Sequence, residues 1–242
     1  MPDRRRRPWW LAGVAVALAV VAGGLALWLR GRIGDDDRLD VAMVGDSFGE
    51  QSRDQLLAHL QSDDMTGEVS AFGGVAACDW LVDLDAFAAR EPRVLILSFA
   101  GNDVTPCMDR TDTPSTAAQT AEEYQSDLES ILADFLATSP TTRVYVVPPP
   151  PVQNPEFEAN AAAMRAMYAR LADEHPGVTV VDVARTLGPD REYHYALPCE
   201  DWEAAACGRD GTVVLRQDDG IHLTPAGGER YARAMLAAIG AQ

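Results

Sequence analysis

Five short strand-like runs alternate with helix-patterned stretches, and this alternation constrains the fold of the 242-residue chain more than any other feature. The runs are Leu39–Val44, Glu68–Phe72, Val94–Phe99, Val144–Val147 and Val178–Val183. Gly45 closes the first, Gly73-Gly74 the second, Ala100-Gly101 the third, and Pro148–Pro151 the fourth. Val94–Phe99 reads VLILSF, apolar at almost every position, as a strand buried on both faces requires. Between the runs, apolar residues recur at helical spacing: Leu56, Leu57 and Leu60; Tyr124, Leu128, Ile131, Leu132 and Phe135; Met164, Met167, Tyr168 and Leu171. A last stripe follows at Tyr231, Ala234, Met235, Ala238 and Ile239. The pattern predicts an α/β fold with a five-stranded parallel sheet covered on both faces and right-handed crossovers. Functional residues are then expected in the loops that leave the carboxyl ends of the strands.

The amino terminus has a different character. Arg4–Arg7 precede Trp9–Leu29, which holds no charged residue. At about 1.5 Å per residue such a helix spans roughly 30 Å, one hydrocarbon core. The arginines place residues 1–8 in the cytoplasm and the chain after Arg30 on the outer side. The run is longer than an ordinary signal-peptide core, and no small-x-small site precedes Arg30, so 9–29 reads as a retained anchor; cleavage near Gly31 is the alternative. Residues 30–38 form a polar linker. Residues 39–242 are long enough for one domain with its own core.

The formal charge is −17; residues 1–34 hold six arginines against Asp3, which leaves −22 on the rest. A domain that acidic repels nucleic acid and anionic lipid surfaces. Cys78, Cys107, Cys199 and Cys207 all follow the apolar run, and an even count on the outer side suggests disulfides. No Cys-x-x-Cys pair is present, so a zinc site is not indicated. Residues 184–216 fit no repeating unit and read as a disulfide-braced insertion.

Taken singly, the polar motifs have ordinary explanations. Asp46-Ser47 suits the start of a helix. Gly101-Asn102-Asp103 suits a turn. Asp219-x-x-His222 is more informative, because a carboxylate three residues before a histidine can fix its tautomer and leave the other ring nitrogen free as a base. His59, His175 and His194 lack that partner arrangement. Thr224 followed by Pro225 predicts a capped helix directly after this motif.

Together and in order, the blocks resemble the GDSL/SGNH hydrolase family. They are Gly45-Asp46-Ser47, the glycine at 73 or 74, Gly101-Asn102-Asp103 and Asp219-Gly220-Ile221-His222, and the resemblance runs from about Leu39 to the carboxyl terminus. It implies a flavodoxin-like three-layer sandwich. It implies Ser47 as nucleophile, His222 as general base and Asp219 as the residue orienting it. It also implies an oxyanion site built from the Ser47 N–H, a Gly73 or Gly74 N–H and the Asn102 side chain. One block departs from the family pattern. Ala71-Phe72-Gly73-Gly74 lacks the asparagine that often precedes the glycine, which leaves the choice between Gly73 and Gly74 open. No cofactor or metal is implied.

These readings converge on a membrane-anchored, outward-facing serine esterase acting on an acylated cell-envelope glycan or lipid. An O-acyltransferase working beside a membrane acyltransferase partner is the second reading, and a non-catalytic binding module the third. Position alone suggests Trp80, Pro148–Pro151 and Tyr193–Trp202 as walls of the site. For the cysteines, the expectation is Cys78 with Cys107 and Cys199 with Cys207.

Overall fold

The structure, a computed structural model, describes residues 38–81, 84–108 and 115–240. The Trp9–Leu29 run lies outside them. Among the described residues, no helix is long and apolar enough to cross a membrane.

Five strands form one parallel sheet: β1 (Val41–Gly45), β2 (Gly67–Ala71), β3 (Val94–Ser98), β4 (Arg143–Val146) and β5 (Val178–Val180). Their order is β2-β1-β3-β4-β5. The chain therefore builds outward from β1 in both directions, and the strand order reverses between β1 and β3. A crevice opens at such a reversal, at the carboxyl ends of the strands. The register lines those ends up, because Gly45 pairs with both Ala71 of β2 and Ser98 of β3. The three loops that follow begin side by side.

Alternate residues of β1 and β3 face opposite layers. Ala42, Val44, Leu95 and Leu97 pack against α3 (Ala117–Thr138) and α4 (Pro155–Glu174) through Tyr124, Leu128, Phe135, Met164, Tyr168 and Leu171. Val41, Met43, Val94 and Ile96 pack against α1 (Ser47–Ser62) and α6 (Pro225–Ile239) through Leu56, Leu60, Tyr231, Met235 and Ile239. Every apolar residue of these strands is thus buried, as a doubly covered sheet requires. Two short helices, α2 (Leu84–Ala88) and α5 (Val183–Leu187), complete the set. Helices α1 and α6 approach closely: a Cβ on Gly228 would lie 2.3 Å from the Gln51 carbonyl oxygen, a position only glycine can occupy. This contact seats the loop before α6 on the first turns of α1.

Two features differ from the sequence expectation. The run Val178–Val183 is not one strand. β5 ends at Val180, the Val181 N–H still bonds to the Val146 carbonyl at 2.9 Å, and Val183 opens α5. Val181 and Val183 are buried either way, so apolar character could not locate the break. Residues 184–216, read from the sequence only as a disulfide-braced insertion outside the repeating pattern, hold in addition an antiparallel ribbon of β6 (Ala196–Pro198) and β7 (Thr212–Val214). A disulfide, Cys199–Cys207, closes the connection between those two strands. The second disulfide, Cys78–Cys107, joins the loops after β2 and β3.

Candidate active site

Ser47 is the first residue of α1 and is half-buried. The Asp46 carboxylate caps this helix, its Oδ1 accepting from the Phe48 N–H at 3.2 Å. Among the described residues the Ser47 N–H meets no acceptor, so it stays available at the positive end of the helix dipole. Gly73 lies against Ser47: a Cβ built on it would sit 3.9 Å from the Ser47 Cβ and 3.1 Å from Glu50 Oε2. Gly74 has φ +80°, a left-handed conformation that favours glycine. The N–H groups of Gly73 and Gly74 also have no acceptor among the described residues.

Asn102 comes from the loop after β3. Its Nδ2 donates to the Val75 carbonyl at 2.9 Å and to Asp46 Oδ2 at 3.2 Å. Both amide hydrogens thus have protein acceptors, one on each neighbouring loop. Tyr124 of α3 donates to the Asn102 carbonyl at 3.0 Å and fixes the backbone there.

The loop before α6 brings Asp219 and His222 together. Asp219 Oδ2 lies 2.6 Å from His222 Nδ1, while Oδ1 accepts the N–H groups of Ile221 and His222, each at 2.9 Å. Partial burial works to raise the Asp219 pKa, but the bonds from His222 and from the two backbone N–H groups outweigh it and hold the carboxyl below its ordinary value. With Nδ1 bound to Asp219, His222 Nε2 has no hydrogen-bond partner among the described residues. No hydrogen bond joins Ser47 to His222 among the described residues.

Several residues hold this loop that sequence reasoning did not single out. Gln51, one turn along α1 from Ser47, accepts the Leu223 N–H on its Oε1 at 2.7 Å. The Gln153 N–H bonds to the Gly220 carbonyl at 2.9 Å. Arg216 is 1 % exposed, and its guanidinium donates to the carbonyls of Ile221 and Pro151, both at 2.9 Å. Burial lowers its pKa to about 10, with Tyr193, Tyr231, Asp219 and Glu158 acting in the opposite direction. Arg216 thereby ties the proline loop after β4 to the Asp219–His222 loop. Nothing in its sequence surroundings marks it, since its partners are backbone carbonyls.

The residues suggested as walls divide. Tyr193 lies under Arg216, 5.8 Å from guanidinium carbon to ring centroid, and Tyr195 donates to Asp218 at 3.0 Å, so both adjoin the Asp219–His222 loop. Trp202 instead packs on Arg233 of α6. Trp80 is buried and stacks on the half-exposed Phe72, just before the glycine pair. Pro148, Pro149 and Pro151 line a separate cavity of about 590 Å³ with Arg165, Val180 and Asp182. No group of three or more His, Cys, Asp or Glu is placed to hold a metal ion among the described residues.

The family described as Protein of unknown function (DUF459) matches residues 40–238, nearly all of the sheet, its helices and every residue named above. This chain belongs to that family. No curated protein sequence matches it. In solved structures, the fold of this DUF459 protein is that of the GDSL/SGNH hydrolases. The catalytic domain of the peptidoglycan O-acetyltransferase OatA from Streptococcus pneumoniae is 16% identical with a TM-score of 0.54, covering 84% of this chain and 93% of that one. A variant of Axe2, an acetyl-xylooligosaccharide esterase from Geobacillus Stearmophilus, is 19% identical with a TM-score of 0.55, over 83% and 93%. LAE5, an alpha/beta hydrolase from the metagenome of Lake Arreo, Spain, is 21% identical with a TM-score of 0.57, over 83% and 94%.

Proposed function

We propose that this DUF459 protein is a serine esterase that removes an acyl group from a cell-envelope glycan or lipid. The observation that carries the reading is the Asp219–His222 pair, joined at 2.6 Å on a loop pinned to α1, whose first residue, Ser47, sits beside three unpaired backbone N–H groups. His222 Nε2 takes the Ser47 proton as Oγ attacks the ester carbonyl carbon. Asp219 keeps the other ring nitrogen protonated and stabilises the imidazolium that forms. The N–H groups of Ser47 and of Gly73 or Gly74 then receive the developing oxyanion. Each well-placed donor contributes about 3–4 kcal/mol to the barrier. Asn102 adds a side-chain donor by turning the hydrogen it shares over 3.2 Å with Asp46 toward that oxyanion. Collapse breaks the ester C–O bond, and His222 returns its proton to the departing alcohol. Water then attacks the Ser47 acyl-enzyme by the same route and releases the acid.

The O-acetyltransferase domain among the structural neighbours supports a second reading, in which a sugar hydroxyl replaces water as acceptor. The 9–29 segment favours the esterase. We read it as a single anchor holding residues 39–242 on the outer side, and one span cannot carry activated acyl groups across a bilayer. Such a transferase needs a multi-span membrane partner. The test offers the detergent-solubilised chain a chromogenic acetate ester with and without excess chitooligosaccharide. Free acetate released at a rate the acceptor does not change supports the esterase, and acetylated oligosaccharide as the main product contradicts it.

A further inference from the structure

Asp46 does more than cap α1. It is wholly buried, and every neighbour of its carboxylate is a donor. Oδ1 takes the Phe48 N–H, while Oδ2 takes the Ala100 N–H at 2.6 Å and the Asn102 amide at 3.2 Å. Its own N–H bonds to the Ser98 carbonyl at 3.0 Å. One side chain therefore joins the helix that begins with Ser47 to the loop that carries Asn102, and Asn102 continues the link to Val75, next to the glycine pair.

This arrangement sets which end of the Asn102 amide faces Asp46 and Val75. A carboxylate and a carbonyl only accept, so with Asp46 ionised, Asp46 and Val75 both require the NH2 end. A protonated Asp46 would carry a hydroxyl with no acceptor among its present partners. The Asn102 side-chain oxygen would supply one if the amide turned over, a turn that also gives up the bond to the Val75 carbonyl and removes the side-chain donor. We infer that Asp46, as a carboxylate, is a positioning residue that holds Asn102 in its donor orientation, and that protonation of Asp46 switches this donor off.

The surroundings place the change near neutral pH. Burial raises the Asp46 pKa to about 7, against the lowering effect of the Ala100 and Phe48 N–H groups and of His222. The titratable groups around it are His222 from the loop before α6, Tyr124 from α3, Tyr168 from α4 and Tyr231 from α6. The phenols stay neutral, since burial holds all three above their ordinary value. On acidification through this range Asp46 therefore gains a proton and releases Asn102.

The inference rests on the serine-esterase reading, and its test separates the two. The full-length chain, Asp46→Asn, Asn102→Ala and the double variant are assayed for kcat and KM from pH 5 to 9, with circular dichroism to confirm the fold. In the unsubstituted chain, log kcat should fall as the pH drops through about 7. Asp46→Asn, which still caps the helix, should lower kcat at pH 8 at least about tenfold with KM little changed. It should also make the acid limb shallower than in the unsubstituted chain, and in the Asn102→Ala background it should cost little more. An acid limb as steep in folded Asp46→Asn as in the unsubstituted chain, or a full additive loss in the double variant, overturns the inference alone. A chain that hydrolyses no ester and takes no serine-directed label overturns the esterase reading and the inference with it.

Discussion

At the scale of single residues, two carboxylates in the site respond to pH with opposite sign. Asp219 is held below its ordinary pKa, so its contribution to stability is present above about pH 4 and is lost on acidification. Asp46 is raised from 3.8 to about 7. The native state keeps its proton where the unfolded chain has lost it, so stability from this group is full below pH 3.8 and falls as pH rises through 7. At about 1.4 kcal/mol per pH unit, the cost at pH 8 is roughly 4 kcal/mol. Asp46→Asn should therefore cost less stability at pH 8 than at pH 5 while lowering turnover, and thermal scans at pH 5 and pH 8 check this. A variant destabilised equally at both would show that capping dominates. Asp219→Asn should lower the melting temperature modestly and lower kcat by roughly three to four orders of magnitude, because the His222 tautomer is no longer fixed. These two carboxylates also mark what was legible in the sequence. Asp219 stands three residues from its partner, so the motif shows the pair. Asp46 meets Ala100 and Asn102 across 54 and 56 residues, and only the sheet brings them together.

At the scale of elements, the strands and long helices were readable because burial on both faces and helical spacing leave plain patterns. The end of β5 and the β6–β7 ribbon were not readable, since their short segments take their conformation from tertiary contacts. The ribbon region is held to α6 by one buried ion pair. Arg230 donates to both Glu203 oxygens, at 2.7 and 2.6 Å, and to the Pro198 carbonyl at 2.9 Å. Arg230→Ala should cost about 3–5 kcal/mol in denaturant unfolding, because it leaves Glu203 buried without its cation. A loss below about 1 kcal/mol would show that the insertion re-solvates freely. The Cys78–Cys107 bond braces the two loops that carry Gly73, Gly74 and Asn102. Replacing both cysteines by serine should cost about 3–4 kcal/mol on loop-closure grounds and should lower kcat more than it raises KM. Unchanged kcat in a destabilised variant would separate the brace from the chemistry.

At the scale of the whole molecule, the strand reversal between β1 and β3 explains why motifs far apart in the chain gather at one edge of the sheet. Ser47 leaves β1, Asn102 leaves β3, the glycine pair leaves β2, and the packing of α6 on α1 delivers His222. We propose that the 9–29 segment anchors the chain in a membrane with residues 39–242 on the outer side. The chain should sediment with membranes and resist carbonate extraction, while protease added outside digests residues 39–242. A mature amino terminus near Gly31 would contradict the anchor. The central claim, that Ser47 is the nucleophile of an acyl-enzyme, is tested most directly by treating the intact chain with a fluorophosphonate and mapping the adduct by peptide mass spectrometry. The account predicts a single adduct on Ser47, absent in Ser47→Ala and much slower to form in His222→Ala. Equal labelling of Ser47→Ala, or an adduct at another residue, would contradict it.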